Sequence, residues 1–154
     1  ALVRAQVQAG CRALQIFDTW AGELDLWALE RFALQPARLL VARLADLGVP
    51  TIYFARGCGA SLDMVHSVGA TGYGVDWRVS IEPAFAKLPG AAVQGNLDPA
   101  MLFGPASRVA ERTRAVLQAA GGRPGHVFNL GHGILPETPI ASVQAVLDCV
   151  RGER

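Results

Sequence analysis

Phe128-Asn-Leu-Gly-His-Gly-Ile-Leu-Pro-Glu-Thr-Pro139 decides how this chain is read. Val127 to Asn129 is a short strand-like run that ends on a polar side chain. His132 follows between Gly131 and Gly133, which free the backbone for a tight loop and a close approach to a ligand. Thr138-Pro139 then reads as N-cap and first residue of a helix whose apolar face is Ile140, Val143, Leu147 and Val150. The stretch is therefore one strand–loop–helix unit with its chemistry at the carboxyl end of the strand.

The same unit recurs upstream. Ala13 to Phe17, Thr51 to Phe54, Tyr73 to Asp76 and Ala91 to Gln94 are strand-like, and a helical remnant from about Val3 to Ala9 precedes the first. A helix beginning at Pro36 carries Ala37, Leu40, Val41, Leu44 and Leu47 on one face and stops at Gly48 and Pro50. Ser61 is placed to cap a short helix with Met64, Val65 and Val68 inward. Pro83 and Pro89 leave only a short connection between the third and fourth strands. A helix from about Ser107 to Ala120 turns Val109, Val116 and Leu117 inward and stops at Gly121-Gly122. Five βα units predict a parallel sheet flanked by helices. Two architectures accommodate them: a flavodoxin-like doubly wound sheet, which the strand count and length favour, or five of the eight units of a (β/α)8 barrel.

Composition narrows the function classes. The 154 residues are 51% hydrophobic and 18% charged, as in a globular chain with a core, and a net charge of +1 lacks the basic excess of a nucleic-acid-coating protein. No apolar run approaches the ~20 residues of a membrane span. Cys11, Cys58 and Cys149 are widely spaced and form neither a zinc nor a disulfide pattern, which predicts a reducing, cytoplasmic setting. The absence of an initiator Met and of a signal-peptide layout at Ala1 raises the expectation that residues precede it.

In either architecture a ligand sits at the carboxyl ends of the strands. Those ends carry Asp18-Thr19, Arg56, Asp76, Gln94-Gly95-Asn96 and Asn129 through His132-Gly133. His132 is the most informative of them, because an imidazole binds a carboxylate when protonated and moves a proton near neutral pH. A histidine bonded to backbone in a tight loop is the alternative. His66 reads as a helix-surface side chain and His126 as the opening of a strand. Gly57-Cys58-Gly59 and Gly131-His132-Gly133 lack a complete phosphate-binding pattern and serve turns. Cys58 has no neighbouring histidine and reads as a structural thiol. Trp20 and Trp77 follow polar strand ends, where they line a pocket or pack in the core.

Gln15-Ile-Phe-Asp-Thr-Trp-Ala-Gly22, Val75-Asp-Trp77 followed by Val93-Gln-Gly-Asn-Leu-Asp-Pro99, and the Phe128–Pro139 stretch together resemble one family, the uroporphyrinogen decarboxylases of haem biosynthesis. The resemblance covers residues 1–154 and only the C-terminal half of a family member. It implies that the chain is the last five βα units of a (β/α)8 barrel, with no second domain. It implies a homodimer that removes carbon dioxide from the four acetate side chains of uroporphyrinogen III, giving coproporphyrinogen III without metal or organic cofactor. By the matched motifs, Thr19 and His132 contact substrate, His132 at a carboxylate, and Phe17 lies against the macrocycle. The family's central aspartate, its tyrosine and its arginine-rich segment precede the matched region, and neither Asp18 nor Asp76 falls in the aspartate's place. The expectation is a decarboxylase whose isolated C-terminal part is inactive. The rivals are a cobalamin-linked methyltransferase of the same barrel, although Tyr53-Phe-Ala-Arg-Gly-Cys58 lacks that class's His-x-Cys zinc step, a non-catalytic half-barrel, and a flavodoxin-like nucleotide binder.

Overall fold

The computed structural model describes residues 2–152. Five strands, β1 (Leu14–Asp18), β2 (Thr51–Ala55), β3 (Gly72–Gly74), β4 (Ala92–Gln94) and β5 (His126–Val127), pair in the order in which they occur in the chain. Every pairing is parallel. This order separates the two architectures. A flavodoxin-like sheet reverses direction once, in the order 2-1-3-4-5, and so has helices on both faces. An unreversed order sends every right-handed crossover to the same face. The sheet is an arc of a barrel.

The helices are α1 (Leu2–Gln8), α2 (Leu26–Ala28), α3 (Gln35–Leu44), α4 (Leu62–His66), α5 (Ile81–Lys87), α6 (Ala106–Ala120) and α7 (Ile140–Gly152). On the covered face Tyr53, Tyr73 and Val93 from the central strands bury against Leu34, Ala37, Val65, Ile81 and Ala84 from the helices. A second cluster, Leu97, Leu102, Val109 and Val146, ties α6 and α7 to the turn after β4. On the uncovered face Phe17 is 66% exposed.

Several helices differ from expectation. The segment expected to begin at Pro36 is helical ten residues earlier. Asp25 caps α2 by accepting from the Ala28 N–H at 2.8 Å, and π-helical Leu29–Leu34 joins α2 to α3. Of the apolar face expected on α3, Ala37 and Leu44 are buried and Leu40 is exposed. The connection expected around Pro83 is α5. Pro83 occupies its first turn, where a backbone N–H would have no intrahelical partner in any case. Ser61 and Thr138 do not cap with their side chains: Ser61 makes no such bond, and the Thr138 hydroxyl oxygen is buried without a partner. The inner face of α7 is rotated from the expected one. Ser142, Val146 and Cys149 are buried, while Ile140 is 86% exposed.

Candidate functional site

Alternation along the strands assigns the uncovered face. On β1 it takes Gln15 and Phe17, and through the pairing register Phe17 lies beside Phe54, Phe54 beside Gly74, and Gly74 beside Gln94. Above this row, at the carboxyl ends, the loop after β5 brings in Asn129, Leu130 and His132. Together they line a concavity of about 240 Å³. The Phe54 ring is its centre. Phe17 meets it edge to face with centroids 6.1 Å apart, and His132 stacks on it at 6.1 Å and 19°. Gln94 Nε2 donates to Gln15 Oε1 at 3.3 Å. Three strand spacings separate those residues, about 14 Å along a flat sheet, so the bond forms only because the sheet curls.

The His132 loop is held through Gly131 by the turns after β3 and β4. The Gly131 N–H donates to the Leu97 carbonyl at 2.7 Å, and a Cβ on Gly131 would come within 2.6 Å of the Trp77 nitrogen. Only glycine lets the two loops touch. Asp76, almost fully buried, organises the same junction. Its carboxylate accepts from the Gly57 N–H at 2.6 Å, the Arg78 N–H at 2.9 Å and the Arg78 guanidinium at 3.0 Å. The Asn96 amide donates to the Asp76 carbonyl at 2.9 Å and also to the Val79 carbonyl. Loops after β2, β3, β4 and β5 thus meet around one residue.

Thr19 lies outside the lining of the concavity, in the turn after β1. That turn is fixed by Arg56, whose backbone N–H and Nε donate to the carbonyls of Asp18 and Thr19. The buried Tyr53 hydroxyl donates to the Asp18 carboxylate at 2.9 Å, so that carboxylate is engaged on the helix side. Burial first, then the Asp18 charge, drive the Tyr53 phenol far above its ordinary range. The same causes push the Cys58 thiol up to about 11, so at neutral pH it is an inert, protonated group. Among the described residues no three His, Cys, Asp or Glu side chains converge as metal ligands, and no helix is long and apolar enough to cross a membrane. A larger depression, about 340 Å³, lies between the turns after β3 and β4 and α6; Trp77 and Asn96 line it, whereas Phe17, Thr19 and His132 do not.

The structure therefore brings Phe17 and His132 into one wall and leaves Thr19 at its margin. Gln15 and Phe54 escaped the sequence reading, which looked just past each strand. Stepping back two residues from Phe17, and across to its neighbour on β2, would have found both.

The sequence matches the family model described as uroporphyrinogen decarboxylase (URO-D) over residues 1–153. Uroporphyrinogen decarboxylase from Solibacter usitatus is 45% identical over 148 residues, which are 96% of this chain and 43% of the relative. The enzyme of the same name from Sorangium cellulosum is 46% identical over 150 residues, 97% of this chain and 43% of the relative. Among solved structures, a methyltransferase from Methanosarcina mazei superposes with a TM-score of 0.82 at 21% identity, over 97% of this chain and 44% of that one. That likeness is one of fold. The chain spans well under half the length of the curated relatives it matches.

Proposed function

The chain belongs to the uroporphyrinogen decarboxylase family, and from that premise we propose that residues 1–154 are the C-terminal part of a single decarboxylase barrel acting on uroporphyrinogen III. The complete protein, a cytoplasmic homodimer without metal or organic cofactor, converts the four acetate side chains to methyl groups and yields coproporphyrinogen III. The observation that carries this reading is the wall of Phe17, Phe54 and His132 at the carboxyl ends of an otherwise uncovered parallel sheet.

The chemistry asks for a flat apolar contact, partners for carboxylates, and a proton. Protonation of a pyrrole ring creates an electron sink. The bond to the carboxylate then breaks, its electron pair moves into the ring system, and carbon dioxide leaves. The resulting methylene carbon takes up a proton as the ring gives its own back, so each acetate gains one proton and loses one carbon dioxide. Phe17 and Phe54 supply the apolar contact. His132, braced on Phe54, meets a substrate carboxylate, and the Thr19 hydroxyl adds one neutral hydrogen bond at the margin. The aspartate that faces the charged intermediate, and the arginines and tyrosine around it, belong to the part of the barrel before residue 1. This chain alone binds part of the substrate and does not turn it over.

Anaerobic conversion of uroporphyrinogen III, followed chromatographically, tests the reading. The isolated 154 residues give no enzyme-like rate. In the complete protein, His132→Ala lowers kcat/KM by about 10- to 100-fold, the scale of a charge-assisted hydrogen bond, and Thr19→Ala by less than about tenfold. Turnover by the isolated chain would refute its inactivity, and an unchanged kcat/KM in His132→Ala would remove that residue from the site.

A further inference from the structure

Phe17 and Phe54 are register partners on the same uncovered face, yet Phe17 is 66% exposed and Phe54 only 5%. No helix covers that face, so the burial of Phe54 is local, and three contacts account for it. Gly74, its register partner on β3, has no side chain where a barrel interior normally carries a bulky, branched one. The Phe54 ring lies across that bare position: a Cβ there would stand 2.8 Å from Phe54 Cδ2, 3.1 Å from its Cβ and 3.3 Å from its Cγ. Phe17 meets the ring edge to face at 71°. His132 roofs it, nearly parallel at 19°.

The roof bears on how His132 is oriented. A histidine that meets a ligand with one ring nitrogen is commonly fixed by a hydrogen bond at the other. No described residue bonds either ring nitrogen of His132; the histidine held in that way is His126, at the Gly95 carbonyl. The contacts of Gly131 with Leu97 and Trp77 fix the loop but not the plane of the imidazole. What touches that plane is the Phe54 face. A ring seated by its face keeps both nitrogens at its edge, free for a ligand.

We propose that Phe54 is a positioning residue that sets the plane of the His132 imidazole by stacking, and that Gly74 lets the Phe54 ring lie low enough to do so. The inference rests on the reading that His132 meets a substrate carboxylate, and it adds what aims the imidazole there. Phe17 keeps the exposed aromatic surface for the ligand, while most of the Phe54 surface is spent on its neighbours. A side chain at position 74 lifts the Phe54 ring, and the imidazole loses its seat.

The test combines anaerobic turnover of uroporphyrinogen III with nuclear magnetic resonance of the histidine rings, in the protein as its own gene encodes it. Phe54→Leu keeps an apolar side chain and removes the flat face, whereas Gly74→Ala lifts the ring. Each lowers kcat/KM about two- to tenfold, the scale of one aromatic pair. Each also moves the His132 ring resonances, identified by their loss in His132→Ala, because the Phe54 ring current no longer acts on them. In a His132→Ala background neither substitution costs more than about twofold further, since nothing is left to position. Unmoved His132 resonances in Phe54→Leu overturn the inference, and so does a parent-like kcat/KM. A Phe54→Leu loss that persists in full without His132 also overturns it, because Phe54 would then act on the ligand or the fold directly. If Gly74→Ala does not fold, Phe54→Leu decides alone. If the parent protein leaves uroporphyrinogen III unconverted, the decarboxylase reading fails and the resonances alone decide whether Phe54 seats His132.

Discussion

Asp76→Ala removes the carboxylate that ties the turn after β2 to the turn after β3, and its cost can be worked from three bonds. The shortest, from the Gly57 N–H at 2.6 Å, joins a backbone donor to a carboxylate with 2% side-chain exposure. A charge-assisted bond of this kind contributes about 1.5–3 kcal/mol, and its loss strands the Gly57 N–H. The Arg78 side chain is 53% exposed and returns to water, so its ion pair counts for less than about 1 kcal/mol. The Arg78 N–H at 2.9 Å adds a bond that water replaces in part. Relief from burying a charge offsets some of the total, leaving a loss of about 3 kcal/mol. For a chain of this size that lowers Tm by roughly 6–12 °C. Urea unfolding at pH 7, followed by far-ultraviolet circular dichroism, reads the change directly. Arg78→Ala is the control, expected to cost under about 1 kcal/mol. Asp76→Asn should fall between the two, since its oxygen still accepts from Gly57 while its amide faces donors. An Asp76→Ala loss below about 1 kcal/mol would mean that the loops are held by backbone bonds alone, and the junction argument would be wrong.

The same fold makes further measurements predictable. Stability should decline in alkali: Cys58 ionises at its ordinary 9.0 when unfolded but near 11 when folded, and Tyr53 and Tyr73 are raised above 10.0 in the same sense. All three hold their protons longer in the folded state, so their contribution is intact below pH 9, shrinks from there upward, and Tyr53→Phe should flatten the decline above pH 10. A pH-independent urea midpoint between those values would contradict the burial of these groups. Gly131→Ala forces a Cβ to within 2.6 Å of the Trp77 backbone, so it should displace the His132 loop and match the binding loss of His132→Ala. Parent-like affinity in Gly131→Ala would show that the two loops do not depend on each other.

How much of this was legible in the sequence depended on whether the signal was local. The strands were, because short apolar runs ended by polar residues persist whatever lies outside them. The reach of α7 was also legible, but its inner face was not. Ile140 and Leu147 spell the apolar stripe in letters, whereas the structure buries Ser142 and Cys149, small enough to approach α6, beside Val146. α5 was lost because Pro83 was read as a breaker, although a proline in a first turn breaks nothing. The helical start at Leu26 was lost for a different reason: Leu26, Trp27 and Phe32 point outward, 61–69% exposed, and erase the period that marks a buried face. Strand order was never local. Five βα units read the same in an open sheet and in a barrel arc, and what discriminated them at the sequence level was the resemblance of three motifs.

The distribution of charge argues from within this chain that the proposed decarboxylase site needs more than these five units. Uroporphyrinogen carries eight carboxylates, and a pocket that desolvates such a ligand must return cationic or hydrogen-bonding partners. The two arginines nearest the strand ends are committed elsewhere. Arg56 is 21% exposed, bonds the Thr19 carbonyl and reaches Glu23 at 3.8 Å, while Arg78 pairs with Asp76 and lies over the Trp77 ring at 4.8 Å. The wall itself holds one imidazole and three neutral carboxamides, Gln15, Gln94 and Asn129. This is a surface suited to the flat, uncharged body of a macrocycle. Its counterpart, facing the uncovered side of β1 through β5, must then carry the positive charge and the proton donor. On the proposed function, binding surface and reactive groups are divided between two parts of one barrel, which is why a chain with a well-formed wall is expected to hold the ring without transforming it.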